Sequence, residues 1–179
     1  MRERERAPCI GCIIQLTCKL GYQDIFASVG ADGSLRTFDL RNLDQSTILY
    51  ENPGPQHTPL LRLAWNKQDE HYIATIGMDC PSCYILDTRY PAKPAAELQG
   101  HHGATINSLA WAPHSACHIT TAGDDKQALI WDLSPFPNPI QYPSLAYRAG
   151  GEINQLQWSA AHPSWIAITF SNYLQLLRV

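Results

Sequence analysis

Short segments of alternating or uniformly apolar residues run along the chain, and none is longer than a strand. Leu60 to Trp65, Tyr72 to Ile76, Ser34 to Asp39 and Ala128 to Trp131 are rich in β-branched, aromatic and aliphatic residues. Segments of this length and composition read as β-strands. Clusters of Gly, Asp and Pro separate them, as in Ala31-Asp-Gly33 and Pro53-Gly-Pro55, where turn chemistry is needed. No window carries an apolar stripe at the 3.6-residue period, so almost no helix is expected.

The segments repeat. Leu61-Arg-Leu-Ala-Trp65, Asn107-Ser-Leu-Ala-Trp111 and Asn154-Gln-Leu-Gln-Trp158 end on tryptophans spaced 46 and 47 residues apart. A second phrase is locked to the first: Ala27-Ser-Val-Gly-Ala-Asp32, Ala74-Thr-Ile-Gly-Met-Asp79 and Thr120-Thr-Ala-Gly-Asp-Asp125. A third closes the unit with Phe38-Asp39, Leu86-Asp87 and Trp131-Asp132. A period slightly above ~40–45 residues, filled by several short strands and signed by Trp-Asp, is the pattern of a WD-repeat β-propeller. The fold class expected is therefore all-β, a partial propeller of about four blades from a presumed seven. Residues 1–21 stand apart, and the blades fall at about 22–52, 53–97, 98–146 and 147–179.

The polar positions of the repeat have a structural task. A turn Asp, a hydroxyl four residues before it, a His ahead of the blade and an indole can join in one buried hydrogen-bonded network, which rigidifies a blade when complete. The hydroxyls are Ser28, Thr75 and Thr121, and the acids are Asp32, Asp79 and Asp125. Only one repeat holds all four types, with Thr121, Asp125, Trp131 and either His101 or His102. Gly100-His101 matches the usual dipeptide, whereas His102 has the better spacing to Ile106, and both stay open.

The phrases resemble one WD-repeat family in particular. It contains the plant Transparent Testa Glabra protein, the petunia anthocyanin regulator, plant light-regulated WD proteins and an animal cullin-4-associated factor. The residues that carry the resemblance include Phe26-Ala-Ser-Val-Gly-Ala-Asp-Gly-Ser34, Thr58-Pro-Leu-Leu-Arg-Leu-Ala-Trp-Asn-Lys-Gln-Asp69, Gln127-Ala-Leu-Ile-Trp-Asp132 and Glu152-Ile-Asn-Gln-Leu-Gln-Trp158. The phrases Gln155-Leu-Gln-Trp158 and Leu176-Leu-Arg-Val179 look nearer the plant branch. The resemblance implies a non-catalytic scaffold in a transcriptional regulatory complex, docking Myb and basic helix-loop-helix factors. Its alternative is a substrate receptor or adaptor of a cullin-4 ubiquitin ligase, or a scaffold for protein kinases. It also implies a location in nucleus and cytoplasm. Family members are about twice this length, so the resemblance covers their C-terminal half. On that basis the chain expressed alone is expected to expose an apolar blade face at each end and to self-associate.

Charge and composition narrow the partners. The net charge of -3 over 179 residues argues against a nucleic-acid binder, which needs a basic surplus or stripe. The alternating run Met1-Arg-Glu-Arg-Glu-Arg6 reads as a solvated tail. No apolar run reaches the roughly 18 residues of a membrane span. The Ala7 to Leu20 stretch, flanked by Glu3 and Glu5, is not expected to be a secretory signal. The six cysteines are then expected to be reduced thiols.

Candidate chemistry is sparse. Cys9-x-x-Cys12 and Cys80-x-x-Cys83 have zinc-knuckle spacing, but 67 residues separate Cys12 from Cys80, too far for paired knuckles. The run His114-Ser-Ala-Cys117-His118 is a denser metal candidate between two strands, where period-2 alternation puts His114 and His118 on one side, but it reads as a turn histidine followed by a strand-opening one. No metal or cofactor is expected. There is no phosphate-cradling Gly-x-x-x-x-Gly-Lys loop and no Gly-x-Ser-x-Gly elbow. The aspartates recur once per repeat, which marks turn architecture and not an acid–base pair, so no enzyme is expected. Arg41 and Arg89 each follow a blade-closing Asp by two. This resembles the Trp-Asp-x-Arg ending of WD proteins that dock on the cullin-4 adaptor, with Phe38 or Leu86 in place of the Trp. The two arginines are the candidate partner contacts.

Overall fold

A computed structural model describes residues 13–19, 21, 24–53 and 58–179. Fifteen strands are grouped into four antiparallel sheets, each formed by strands consecutive in the chain. The first sheet holds β1 (Ile13–Cys18), β2 (Ile25–Gly30), β3 (Ser34–Asp39) and β4 (Asn42–Glu51). The second holds β5 (Leu60–Trp65), β6 (Tyr72–Gly77), β7 (Cys83–Asp87) and β8 (Pro94–Leu98). The third holds β9 (Ile106–Trp111), β10 (His118–Gly123), β11 (Gln127–Asp132) and β12 (Leu145–Arg148). The fourth has three strands, β13 (Ile153–Trp158), β14 (Trp165–Phe170) and β15 (Tyr173–Arg178). No helix occurs among the described residues, and none is long and apolar enough to cross a membrane.

These are blades of a WD-repeat propeller. The first strands of successive sheets pack on one another, β1 on β5, β5 on β9 and β9 on β13. Each sheet is a meander that works outward from that inner strand. The inner strand of the first sheet comes from Ile13–Cys18, inside the segment that the sequence motifs set apart. It has neither the Trp nor the network residues of its counterparts, so only its pairing with β2 reveals it.

The inner strands share a defect. Register shifts occur between Ile13 and Gln15, Leu60 and Arg62, and Ile153 and Gln155, and where Gly123 pairs with Ile106. A bulge of this kind leaves one residue out of the ladder and sharpens the local twist. In the third blade the extra residue is Asn107. Its amide reaches Asp124 Oδ1 at 2.5 Å and the Ile153 carbonyl of the next blade at 3.0 Å.

The core lies between the blades. Ala27, Val29, Leu35, Tyr50, Leu60 and Trp65 bury the junction of blades one and two. Ile76, Cys83, Ile85, Leu98, Trp111 and Trp131 bury the next. Ile130, Ile153, Leu156, Trp158, Ile166 and Ile168 bury the last. Alternating side chains give each sheet two faces, and at these three junctions the facing sides remove one another from water. On β15, Tyr173, Leu174 and Leu176 are 63%, 69% and 60% exposed.

Polar stitches cross the same junctions at a spacing of one repeat. Asn66 Nδ2 donates to the Ala116 carbonyl at 2.7 Å, and Gln68 Nε2 to that of Pro113 at 2.7 Å. Trp111 Nε1 donates to the Ala64 carbonyl at 3.0 Å. His114 Nε2 lies 2.9 Å from the Ala160 carbonyl. The Leu156 amide donates to Ser108 Oγ at 3.1 Å.

Candidate functional site

The four polar types of the third blade meet in one chain of hydrogen bonds. Trp131 Nε1 donates to Thr121 Oγ1 at 2.9 Å, and Thr121 Oγ1 lies 2.8 Å from His102 Nε2. His102 Nδ1 lies 2.9 Å from Asp125 Oδ2. Burial drives the His102 pKa down, against the pull of Asp125, so the ring is neutral. One tautomer satisfies every atom: the Thr121 hydroxyl donates to Nε2, and Nδ1–H donates to Asp125. Asp125 also accepts from the Gly103 and Gln127 amides and from Gln127 Nε2. Burial alone would raise its pKa. The Gln127 amide, His102 and the Gly103 amide outweigh that and hold it below the usual carboxylate value.

The chain of bonds uses His102 and not His101. His101 Nε2 is instead 2.7 Å from the Gln141 carbonyl, and its ring meets the edges of Trp131 and Tyr142. The other blades do not assemble the network. Ser28 is buried, while Asp32 accepts from the Ser34 amide and hydroxyl and pairs with Arg36 at 3.7 Å. Thr75 Oγ1 donates to the Arg62 carbonyl at 2.8 Å. Asp79 sits in a turn with φ of 52°. These arrangements hold turns and blades in place.

Arg41 and Arg89 are set in matching forks. The Arg41 amide and Nε both donate to Asp39 Oδ1 at 2.9 Å. The Arg89 amide and Nε do the same to Asp87 Oδ1, also at 2.9 Å. Arg89 Nη2 adds a bond to Asp87 Oδ2 at 2.7 Å, and the guanidinium lies about 6 Å from the ring centres of Tyr72 and Tyr90. The hydrogen bonds from Arg41 hold the Asp39 carboxyl down at about 2. Asp132 repeats the turn with Ser134 in the arginine's place. The forked side chains remain open to solvent, Arg41 68% and Arg89 49% exposed. They follow the third strands of two consecutive blades, so both lie at the same end of the propeller. A guanidinium already fixed by its own carboxylate loses little freedom when a partner takes its remaining N–H groups.

The third blade also brings together residues that the sequence motifs did not connect. Cys117 and His118 at the start of β10 face Asp132 at the end of β11, and one ligand atom from each lies within 4.8 Å of the others. His118 and Asp132 are direct cross-strand partners. That pairing is a matter of register, and no local spacing announces it. The knuckle-like pair Cys80 and Cys83 does not converge in the same way. Cys83 is fully buried in the core, with its thiol pKa pushed well up by burial, while Cys80 Sγ lies 3.8 Å from the Tyr84 hydroxyl. Cys9 and Cys12 lie outside the described residues.

Comparison with known proteins agrees with this architecture. The WD domain, G-beta repeat family model matches residues 92–132, which include all of β9, β10 and β11. That stretch is a WD repeat, and the other sheets are built on the same plan. The chain is 63% identical over 156 residues to the DDB1- and CUL4-associated factor 7 homolog of Dictyostelium discoideum, a match covering 87% of this chain and 47% of that protein. It is 38% identical over 137 residues to a WD repeat-containing protein of Schizosaccharomyces pombe, covering 69% of this chain and 31% of the relative. A WD repeat-containing protein of Saccharomyces cerevisiae is 41% identical over 125 residues, covering 62% and 24%. The chain thus spans about half the length of the first of these relatives and less of the others. Within the family that the sequence resembles, these similarities support the cullin-4-associated side and not the plant regulators.

Proposed function

We propose that this chain supplies blades of a non-catalytic docking subunit in a cullin-4 ubiquitin ligase assembly, and that Arg41 and Arg89 belong to the surface that meets the cullin-4 adaptor. The observation that carries the reading is the 63% identity to a DDB1- and CUL4-associated factor 7 homolog. The paired Asp39–Arg41 and Asp87–Arg89 forks give that surface a chemistry, because arginine is an interface anchor wherever its fork meets carbonyls or carboxylates. Catalysis has no part in the proposal, since the repeated aspartates are occupied in turns. Myb and basic helix-loop-helix partners have no part in it either, because neither the relatives nor this surface points to them.

The test is a binding measurement between the purified chain and the purified cullin-4 adaptor. Wild-type protein should bind. The double variant Arg41→Glu/Arg89→Glu should bind at least ~10-fold more weakly, a loss of about 1.4 kcal/mol in binding, with an unchanged far-UV spectrum. No binding by wild-type protein would reject the adaptor reading. Equal binding by both would remove the two arginines from the contact.

A further inference from the structure

The geometry points to a transition-metal site: we propose that Cys117, His118 and Asp132 bind one zinc-like ion, with its remaining position open to water. The inference stands apart from the docking reading and uses none of its residues. Thiolate, imidazole and carboxylate are the ligand types of zinc sites, and a soft sulfur donor disfavours magnesium and calcium. The three residues come from two adjacent strand ends. Cys117 and His118 lead into β10, and Asp132 ends β11 directly opposite His118. A rigid ladder therefore sets their separation.

The surroundings are arranged for ligation. Ser115 Oγ lies 2.7 Å from His118 Nδ1 and 3.3 Å from Cys117 Sγ. When Nδ1–H donates to that hydroxyl, the ring is fixed in the tautomer whose Nε2 lone pair is free. His118 Nε2 then lies 4.0 Å from Asp132 Oδ1. A tetrahedral zinc with ligands at ~2.0–2.3 Å sets its donor atoms roughly 3.3–3.8 Å apart. Closing the His118–Asp132 gap takes a few tenths of an ångström. Cys117 Sγ, now 3.5 Å from His118 Nδ1, must swing toward Nε2, and Asp132 Oδ1 would share its lone pairs with the Ser134 amide and hydroxyl. His118 and Asp132 are 39% and 38% exposed, so an ion can enter. Cys117 also lines a cleft of about 190 Å³ together with Asp69, Tyr72, Trp111 and Phe136. Among the described residues, His114 is not one of those whose ligand atoms converge with these three. Binding would release the Cys117 thiol proton to solvent, leaving the thiolate on the metal.

Cobalt(II) titration of the untagged full chain under reducing conditions tests the proposal. One equivalent should produce a thiolate-to-cobalt charge-transfer band together with tetrahedral visible bands, and one equivalent of zinc should bleach both. Cys117→Ser should abolish the charge-transfer band. His118→Ala and Asp132→Asn should each weaken zinc binding at least ~10-fold in competition with a chromophoric chelator. The double variant Cys9→Ser/Cys12→Ser should leave the signal intact, with all variants checked by far-UV spectroscopy. Absence of the band in folded wild-type protein would overturn the proposal. So would its persistence in Cys117→Ser, or its loss in the Cys9/Cys12 variant alone.

Discussion

Replacing Trp131 by alanine separates the network residue from an ordinary surface tryptophan. Trp131 is 1% exposed and packs at the junction of blades two and three with Ile85, Leu98 and Leu129. Cutting a buried tryptophan to alanine typically costs ~3–5 kcal/mol, from lost transfer energy and the cavity left behind. The indole N–H bond to Thr121 contributes about a further 1 kcal/mol, although Thr121 keeps its bond to His102. At roughly 2–4 °C per kcal/mol for a chain of this size, a loss of about 4–6 kcal/mol should lower the melting temperature by about 8–24 °C. Trp165 is 39% exposed and has no counterpart in the other repeats, so Trp165→Ala should cost about 1 kcal/mol or less. Trp131→Phe, which retains a ring and loses the donor, should fall between the two. The assay is thermal unfolding of the intact chain followed by circular dichroism, with urea titration as a second measure. Equal shifts for the two alanine variants would refute the assignment of Trp131 to the network.

Two further perturbations examine the same blade. A Cβ on Gly123 would stand 2.1 Å from the Thr105 carbonyl oxygen, whereas one on Gly103 would meet nothing within 4 Å. Gly123→Ala should therefore lower the urea midpoint markedly and Gly103→Ala only slightly, and matching midpoints would contradict the close approach. The depressed pKa of His102 makes the blade sensitive to acid. Below the ordinary histidine value of about 6.5 the unfolded chain takes up a proton that the folded chain, with the His102 pKa lowered by burial, refuses. Stability is thus full above that pH and declines as pH falls from there toward the folded value. Urea midpoints of wild type and His102→Gln at about pH 7.5 and about pH 5.5 should show the larger drop in wild type, and parallel drops would exclude His102 as the source.

The blade pattern was legible in the sequence because three repeats state each of its phrases with similar residues at nearly the same offset. Trp65, Trp111 and Trp158 mark inner strands, and Phe38-Asp39, Leu86-Asp87 and Trp131-Asp132 mark the ends of third strands. What the motifs left open depended on geometry that a local phrase does not contain. His101 and His102 are adjacent and chemically alike, and only the path of the chain into β9 turns His102 toward Thr121. Ile13–Cys18 has the alternation of an edge strand and none of the signature residues, so its place as an inner strand comes from its partner β2. The approach of Cys117 and His118 to Asp132 arises from the β10–β11 register, whereas the Trp131-Asp132 motif by itself marks only the close of the blade.

The stitches between blades also constrain which loops can change length. The turns between first and second strands carry Asn66, Gln68 and His114, which reach a neighbouring turn or receive one from it. In the three blades where this turn is fully described, it spans residues 66–71, 112–117 and 159–164, the same length each time. The connections from third to fourth strand differ in length instead, growing from 40–41 to 88–93 to 133–144, and they reach the adjacent blade at single points, the Ala92 amide at the Leu49 carbonyl and the Phe136 ring at Tyr72. An insertion of one residue in a stitched turn would shift its donors away from the carbonyls of the adjacent blade and disturb two blades at once. The same insertion beside the exposed Asn138 would lengthen a surface loop at little cost, since loop-closure entropy rises only slowly with length. The first set of turns acts as the spacer that keeps successive blades in step. The second is where this scaffold has latitude to acquire new surface without altering the angle between its blades.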